Sequence, residues 1–530
     1  MEKRTISGIT SSASANFIKD RSGKIAAANL FAISILTTAS FAFLLLRDTL
    51  PLPLLIATGA LWVLQICLPE QLEHGSPMNP LILCLIVLLP INLLVTLDLF
   101  FTLSKIYSLL LAFSYFGIIV SFVQYRKHLP LLIFGLVALA FSMALLGSLA
   151  TEWTTRESAI LTGIFQILPN IGEHMVGVGI NKNTMGGALT FFPALLLSLL
   201  FDSGSFTQLL NKYIHWRKFP DWIYKFVILL ILLFVVGVLL LTQSRGAWLG
   251  ALFGAYVLLV WKDKRLLWLI PVGLVLLALF VRSSSDGSLL GFLYELDQGQ
   301  GSTLPSRIQI WWNTINIIED FPITGIGLDA LSVVYPMYFK SFVLPETVTT
   351  LHHAHNSLLT VALETGIPGL ILYIAMLSCF GFMAWHSHKR ARSLNRVLIK
   401  GLVSGMIAHQ VFGLLDAFSF GKYLGVTMWI YFAAMTTIFV HRHQMIHTQS
   451  HQSFFETSLS KSTQVRLFLR SSGIWFVFSF IAITFSQYNI YVSLLVALFA
   501  GSFLGWFVVS DYLALVKKLS IANQKELPAR

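Results

Sequence analysis

The feature that most constrains this chain recurs along its whole length: runs of apolar residues long enough to cross a bilayer as helices, which takes about 20 residues each. By that rule the runs near 25–46, 50–68, 79–97, 104–123, 128–149, 183–200, 222–242, 246–261, 266–281, 367–385, 397–415, 422–440, 473–487 and 490–512 are predicted spans, about fourteen in all. Only 11% of the 530 residues are charged and 56% are hydrophobic, whereas a soluble domain carries about 25% charged residues. The expected fold is an all-α polytopic membrane protein.

Charge gives the expected orientation. If the spans alternate from a cytoplasmic N-terminus, nine of the 36 Lys and Arg residues fall outside the cytoplasm: Arg47, Lys105, Arg156, Lys182, Arg245, Arg282, Arg307, Lys340 and Lys422. That asymmetry is the positive-inside signature and predicts both termini in the cytoplasm. It also accounts for the net charge of +12 through orientation and contact with membrane lipids, with no nucleic-acid partner. Residues 1–24 read as a flexible, Ser-rich cytoplasmic tail. No cleavable signal is evident, because the first apolar run is long enough to span. Cys67, Cys84 and Cys379 all lie in apolar runs and read as buried thiols rather than a disulfide framework.

The expected division is a tail (1–24), nine spans (25–281), a large periplasmic or extracellular helical insert (282–366), three spans (367–440), a cytoplasmic polar loop (441–472), and two further spans with a C-terminal tail (473–530). Within the insert, the stretch from Arg307 through IQIWWNTINII predicts a helix with an apolar stripe at Ile308, Trp311, Ile315 and Ile318, capped by Ser306. Trp311 and Trp312 suit the headgroup level. A second helix is predicted from about Asn356 to Glu364, stopped by Gly366-Ile367-Pro368-Gly369.

Three residues in this outer region could carry chemistry. Arg245, in TQSRGAWLG, stands at a predicted membrane boundary among small neighbours. A guanidinium there suits bidentate contact with phosphate, although a snorkelling anchor is the plain alternative. Arg307 opens the insert helix; alone it reads as a surface arginine, and with Arg245 it completes a candidate diphosphate clamp. His355 precedes a predicted helix start, where the helix dipole opposes a positive imidazolium. An imidazole in this setting is a candidate base for a sugar hydroxyl, against the alternative of a structural turn histidine. Lys182 and Asn183, at the mouth of the sixth span, are candidate supports for the same anion site.

His352, His353 and His355 lack a nearby carboxylate in the sequence, so no metal site is expected there. His441, His443, His447 and His451 read as a solvated loop. The glycine patterns at 325–330 (GIGLDA) and 177–187 (GVGINKNTMGG) lack the strand–helix–strand setting of a dinucleotide fingerprint.

The ordered series TQSRGAWLGA, SRIQIWWNTINIIEDFPITGIGLDALSVVYP and HHAHNSLLTVALETGIPGLI, with NKNTMGG and GLLDAF, resembles the O-antigen ligase and polymerase superfamily over about residues 175–440. The resemblance implies a GT-C-like, inverting membrane glycosyltransferase of the bacterial inner membrane. Such an enzyme moves a glycan from an undecaprenyl-diphosphate carrier to a hydroxyl of a glycan, lipid or protein acceptor at the outer face, without metal or other cofactor. It assigns Arg245 and Arg307 to the diphosphate and His355 to the base. Asp416 matches a position of the pattern without an assigned role, and His353 and Asn356 flank the base. The competing expectation is a transporter of a small anion such as bicarbonate. Transporters tend to show internal repeats and helices broken at the midplane, and no repeat is visible.

Overall fold

The computed structural model describes residues 28–40, 52–67, 75–122, 129–151, 180–201, 220–282, 303–339, 351–389, 393–417, 423–446 and 461–525, with the single positions 42, 153, 204, 211 and 391. The N-terminal tail, Arg47, Arg156, Lys340, Lys422, His447 and His451 lie outside them, as does most of 150–182 and part of 282–366.

The described residues are helical: α1 (Ala28–Ser40), α2 (Leu52–Cys67), α3 (Met78–Val95), α4 (Leu99–Phe122), α5 (Leu129–Ala150), α6 (Lys182–Leu189), α7 (Phe192–Phe201), α8 (Asp221–Leu241), α9 (Arg245–Lys262), α10 (Leu269–Arg282), α11 (Thr303–Asp320), α12 (Leu331–Tyr338), α13 (Ser357–His388), α14 (Ser393–Leu415), α15 (Val426–Ile446), α16 (Lys461–Ser486) and α17 (Ile490–Lys525). Each predicted span overlaps described helix, the sixth being divided between α6 and α7. Nine described helical segments are long and apolar enough to cross a membrane: α3, α4, α5, α6 with α7, α8, α13, α14, α16 and α17. The protein is therefore a polytopic, all-helical membrane protein. The remaining predicted spans are shorter or less apolar. At about 1.5 Å per residue, the 14 residues of α10 rise only about 21 Å against a core of ~30 Å.

Two spans depart from the expected continuous helix. The sixth breaks at Thr190 and Phe191, between α6 and α7. Backbone groups freed in a membrane need protein partners, and here they have them. The Phe191 carbonyl accepts from the Tyr431 hydroxyl at 2.7 Å, and the His409 ring meets the Gly187 carbonyl at 3.1 Å while stacking on Phe191.

The tenth span begins earlier than expected. Its helix runs from Ser357 to His388 with one non-helical residue, Gly366 (φ 69°), so the predicted stop is a kink. The turn 322–327 re-satisfies the kinked backbone: Ile367 N–H donates to Pro322 O (2.8 Å), Ile326 N–H to Leu363 O (2.9 Å) and Gly327 N–H to Glu364 O (3.2 Å). A Cβ on Gly366 would lie 2.4 Å from the Ile323 carbonyl oxygen, so only glycine fits. The GIGLDA glycines thus belong to a backbone joint.

Lys105 and Glu364 form an ion pair inside this joint, 2% and 1% exposed. The lysine expected at the outer boundary is instead buried within α4. Glu364 Oε1 also accepts from Asp329 N–H at 3.1 Å. Removing one partner leaves the other charge buried and uncompensated, so Lys105→Met or Glu364→Gln is expected to cost about 3–5 kcal/mol, whereas replacing both by apolar residues recovers most of it. Thermal melting of the two single variants and the double variant checks this; singles that melt like the parent contradict it.

The insert helix also differs in detail. It starts at Thr303, before Ser306, and its buried positions are Ile310, Asn313, Thr314, Ile317 and Ile318. The stripe predicted on Ile308, Trp311 and Ile315 is turned, because Asn313 goes inside to donate to the Tyr335 hydroxyl at 2.7 Å.

Candidate active site

The site forms where the C-terminal end of α14 meets the N-terminal end of α13. A helix end leaves its last carbonyls without helical partners. At α14 the Leu414 carbonyl accepts from Asn356 Nδ2 at 3.1 Å, and the Leu415 carbonyl accepts from the Arg307 guanidinium. Asn356 also caps α13, its Oδ1 accepting from the N–H groups of Leu358 (3.0 Å) and Leu359 (3.1 Å). One asparagine therefore joins the two helix ends, and it fixes the residue before it. That residue, His355, holds a left-handed backbone (φ 51°), which is uncommon outside glycine.

Asp416 follows α14 directly. Its Oδ1 lies 2.8 Å from His355 Nδ1, and its Oδ2 lies 3.6 Å from Arg307. The Asp416 side chain is 6% exposed, while His355 and Arg307 are 25% and 24% exposed. The carboxylate is thus an interior group, and the imidazole and guanidinium remain open to a substrate. Burial pushes the Asp416 carboxyl up, but its hydrogen bond to His355 and the charges of His355, His353 and Arg307 outweigh burial and hold it down at about 2. A carboxyl depressed in the folded state contributes stability above its unfolded value and loses it as pH falls through about 2. Asp416 is a carboxylate throughout the neutral range.

Arg245 reaches the same end through α9, whose Gly246, Gly250 and Gly254 pack antiparallel on α14. A Cβ on Gly250 would lie 2.4 Å from the Ala408 carbonyl oxygen, and one on Gly246 would lie 3.5 Å from Leu415 Cβ. This contact sets the first residue of α9, an exposed Arg245, beside the end of α14. Lys182 and Asn183 open α6, where the Asn181 side chain accepts from Asn183 N–H at 2.8 Å. Gly186, one turn on, packs against Thr242, Ser244 and Ala247. The structure thus brings His355, Asp416, Arg307, Asn356 and His353 into one cluster, and sets Arg245, Lys182 and Asn183 on adjoining helices at the same end.

His353 stands edge-on to His355 with ring centroids 4.4 Å apart, and His352 packs against Phe101. The ligand atoms of His353, His355 and Asp416 all lie within 4.8 Å of one another. The carboxylate that the sequence lacks near the histidines is therefore present in space, and the set is of a type that holds first-row metals. Two neighbours oppose a cation there: the Arg307 guanidinium, and the N-terminal end of α13 with its partial positive charge.

Sequence reading gives no partner for Asp416, because His355 lies 61 residues away. It also missed the Lys105–Glu364 pair. A lone lysine in an apolar run was the available signal, since such residues call for a named partner.

A helical membrane bundle with a cluster of Arg, His and Asp at one end defines the class: a multi-pass membrane protein with a charged site at a helix junction. Residues 228–374, which include Arg245, Arg307 and His355, match the O-antigen ligase family. That stretch is similar to an O-antigen ligase family domain. No curated protein matches the chain.

Proposed function

We propose that this enzyme transfers a glycan from an undecaprenyl-diphosphate carrier to an acceptor hydroxyl at the outer face of the bacterial inner membrane, with inversion and without a metal. The observation that carries the reading is the His355–Asp416–Arg307 contact set. Asp416 Oδ1 is 2.8 Å from His355 Nδ1; a carboxylate only accepts, so Nδ1 carries the hydrogen and Nε2 is the proton acceptor. This is the logic of a base oriented by a third group.

In the proposed step the acceptor oxygen forms a bond to the anomeric carbon, and its proton passes to His355 Nε2. The bond from that carbon to the diphosphate breaks on the opposite side, and its electron pair leaves with the diphosphate. Arg307 and Arg245 hold the charge that develops on the leaving group, with Lys182 and Asn183 adding to the field at the same end. Preorganised donors in a site poor in water perform this role well. The alternating topology, with both termini cytoplasmic and the 282–366 segment outside, belongs to the same proposal.

The test uses purified protein, a lipid-diphosphate-linked glycan and candidate acceptors. Release of carrier diphosphate that depends on acceptor is expected. Solute flux into vesicles without any glycan donor, and no diphosphate release, would support a small-anion transporter instead. Asp416→Asn isolates the orienting role: turnover is expected to fall by about tenfold or more, with donor KM changed much less. An Asp416→Asn enzyme with parental kcat contradicts the orientation.

A further inference from the structure

We infer that the end of the bundle opposite His355 holds a site for an anionic phospholipid, whose phosphate is bound by His388, Arg396 and Lys400. Three helices meet there. α9 runs antiparallel to α14, and its glycines give the register: Gly250 packs on Ala408 and Phe412, and Gly254 on Ser404 and Ala408. Four residues forward on α9 are four residues back on α14. The same register brings Trp261 and Lys262 level with Arg396 and Lys400. α13 joins them through His388, whose ring stacks on Trp261 with centroids 5.5 Å and planes 27° apart.

The cluster lacks a counter-charge. The Nδ1 atom of His388 is buried and has no hydrogen-bond partner among the described residues, and leaving such an atom unpaired is costly. His386, on the turn before, shows the ordinary arrangement, its Nδ1 pairing with the Phe382 carbonyl at 2.9 Å. The charges that bear on the His388 ring are those of Lys400 and Arg396, both positive. Arg396 gives one N–H to the Ala391 carbonyl at 3.1 Å. Among the described residues, no carboxylate forms an ion pair with Arg396, Lys400, Lys262 or Lys389. Lys262 and Lys389 lie over the rings of Phe201 and Trp385 instead, at 4.6 Å and 4.4 Å. Asp263, next to Lys262, caps the following turn, its Oδ1 accepting from Arg265 N–H at 2.9 Å.

A phosphodiester supplies what is missing: oxygens to accept from the imidazole N–H, the Arg396 fork and the Lys400 ammonium. The setting selects a lipid over a soluble anion. α13 and α14 are long and apolar enough to cross a membrane, so their ends lie at headgroup depth. Trp385, 60% exposed three residues before His388, is the kind of residue that marks that depth. The charge selects an anionic headgroup, because a zwitterionic one brings a further cation. Basic side chains at helix ends are ordinary and serve orientation. A buried imidazole nitrogen without a partner, under two positive charges, is not part of that pattern, and it points to a bound anion.

The test uses the full chain in detergent. The probes are phosphatidylglycerol, phosphatidylcholine with the same acyl chains, and inorganic phosphate. Native mass spectrometry reads the lipid retained, and thermal melting reads the stabilisation. Phosphatidylglycerol is expected to bind about tenfold more tightly than phosphatidylcholine and to raise the melting temperature, while inorganic phosphate at the same concentration does not raise it. Arg396→Gln with Lys400→Gln should remove the preference. His388→Leu keeps both cations and should reduce it by about threefold or more, which tests the site even if the double variant does not fold. Lys517 and Lys518 are the control. They are exposed on α17, which runs parallel to α13, Gly501 packing on Ile371 and Gly505 on Ala375, so they stand at the same end of the bundle. Lys517→Gln with Lys518→Gln removes the same charge and should leave the preference intact. Equal binding of the two lipids by the parent overturns the site, as does an unchanged preference in His388→Leu or an equal loss in the control. Equal stabilisation by inorganic phosphate overturns the lipid as its occupant.

Discussion

His355→Ala is expected to lower transfer by about 10²–10⁴-fold, the usual contribution of a positioned general base, and to leave donor binding nearly intact. The imidazole is 25% exposed and tied through Nδ1 to Asp416, so removing it takes away the proposed proton acceptor without opening the core. Asn356 still caps α13 through Leu358 and Leu359, and the two helix ends stay joined. Steady-state kinetics with binding of the lipid-diphosphate donor measured alongside gives the answer. A fall in kcat with unchanged donor affinity is the expected pattern. Undiminished turnover in His355→Ala removes the base.

Arg307→Ala is expected to cost about 10²–10³-fold in kcat/KM, the scale of losing one donor to a developing charge, and to weaken the donor as well. Arg307 also caps the Leu415 carbonyl and lies 3.6 Å from Asp416, so a melting curve must accompany the kinetics. Arg307→Lys separates the roles. It keeps the charge and loses the planar fork, so it should restore donor binding only in part. Arg245→Ala should move donor affinity the same way. An Arg307→Ala enzyme with parental kcat/KM contradicts the clamp.

Much of the fold is legible in the sequence because lipid imposes one simple rule, the length of the apolar run. Each predicted span overlaps described helix, and nine described helical segments are long and apolar enough to cross a membrane. What the rule cannot see is a break whose backbone finds partners elsewhere. Hydropathy runs unbroken through Thr190 and Phe191, and only Tyr431 and His409, brought from α15 and α14, explain why the helix stops there. The Gly366 kink shows the converse. Gly366 and Pro368 predict a stop, yet the helix resumes because the 322–327 turn takes up the freed groups.

At the site, local chemistry was readable and distant chemistry was not. A helix start near Asn356, with His355 just before it, follows from adjacent residues, whereas the Asn356 cap comes from the structure. The pairing of His355 with Asp416 depends on the end of α14 meeting the start of α13, which no local pattern encodes. Apolar spacing favours Ile308, Trp311 and Ile315 as the inner face of α11, whereas a hydrogen bond to Tyr335 draws Asn313 inside. By sequence Lys105 is a boundary charge; in the structure it is buried against Glu364, which lies far away along the chain.

The most direct measurement is an experimental structure of the protein with an undecaprenyl-diphosphate-linked sugar bound. The account predicts the diphosphate between the Arg245 and Arg307 guanidinium groups, with His355 Nε2 facing the opposite side of the anomeric carbon. A diphosphate held at the other end of the bundle, or one touching neither arginine, would contradict it.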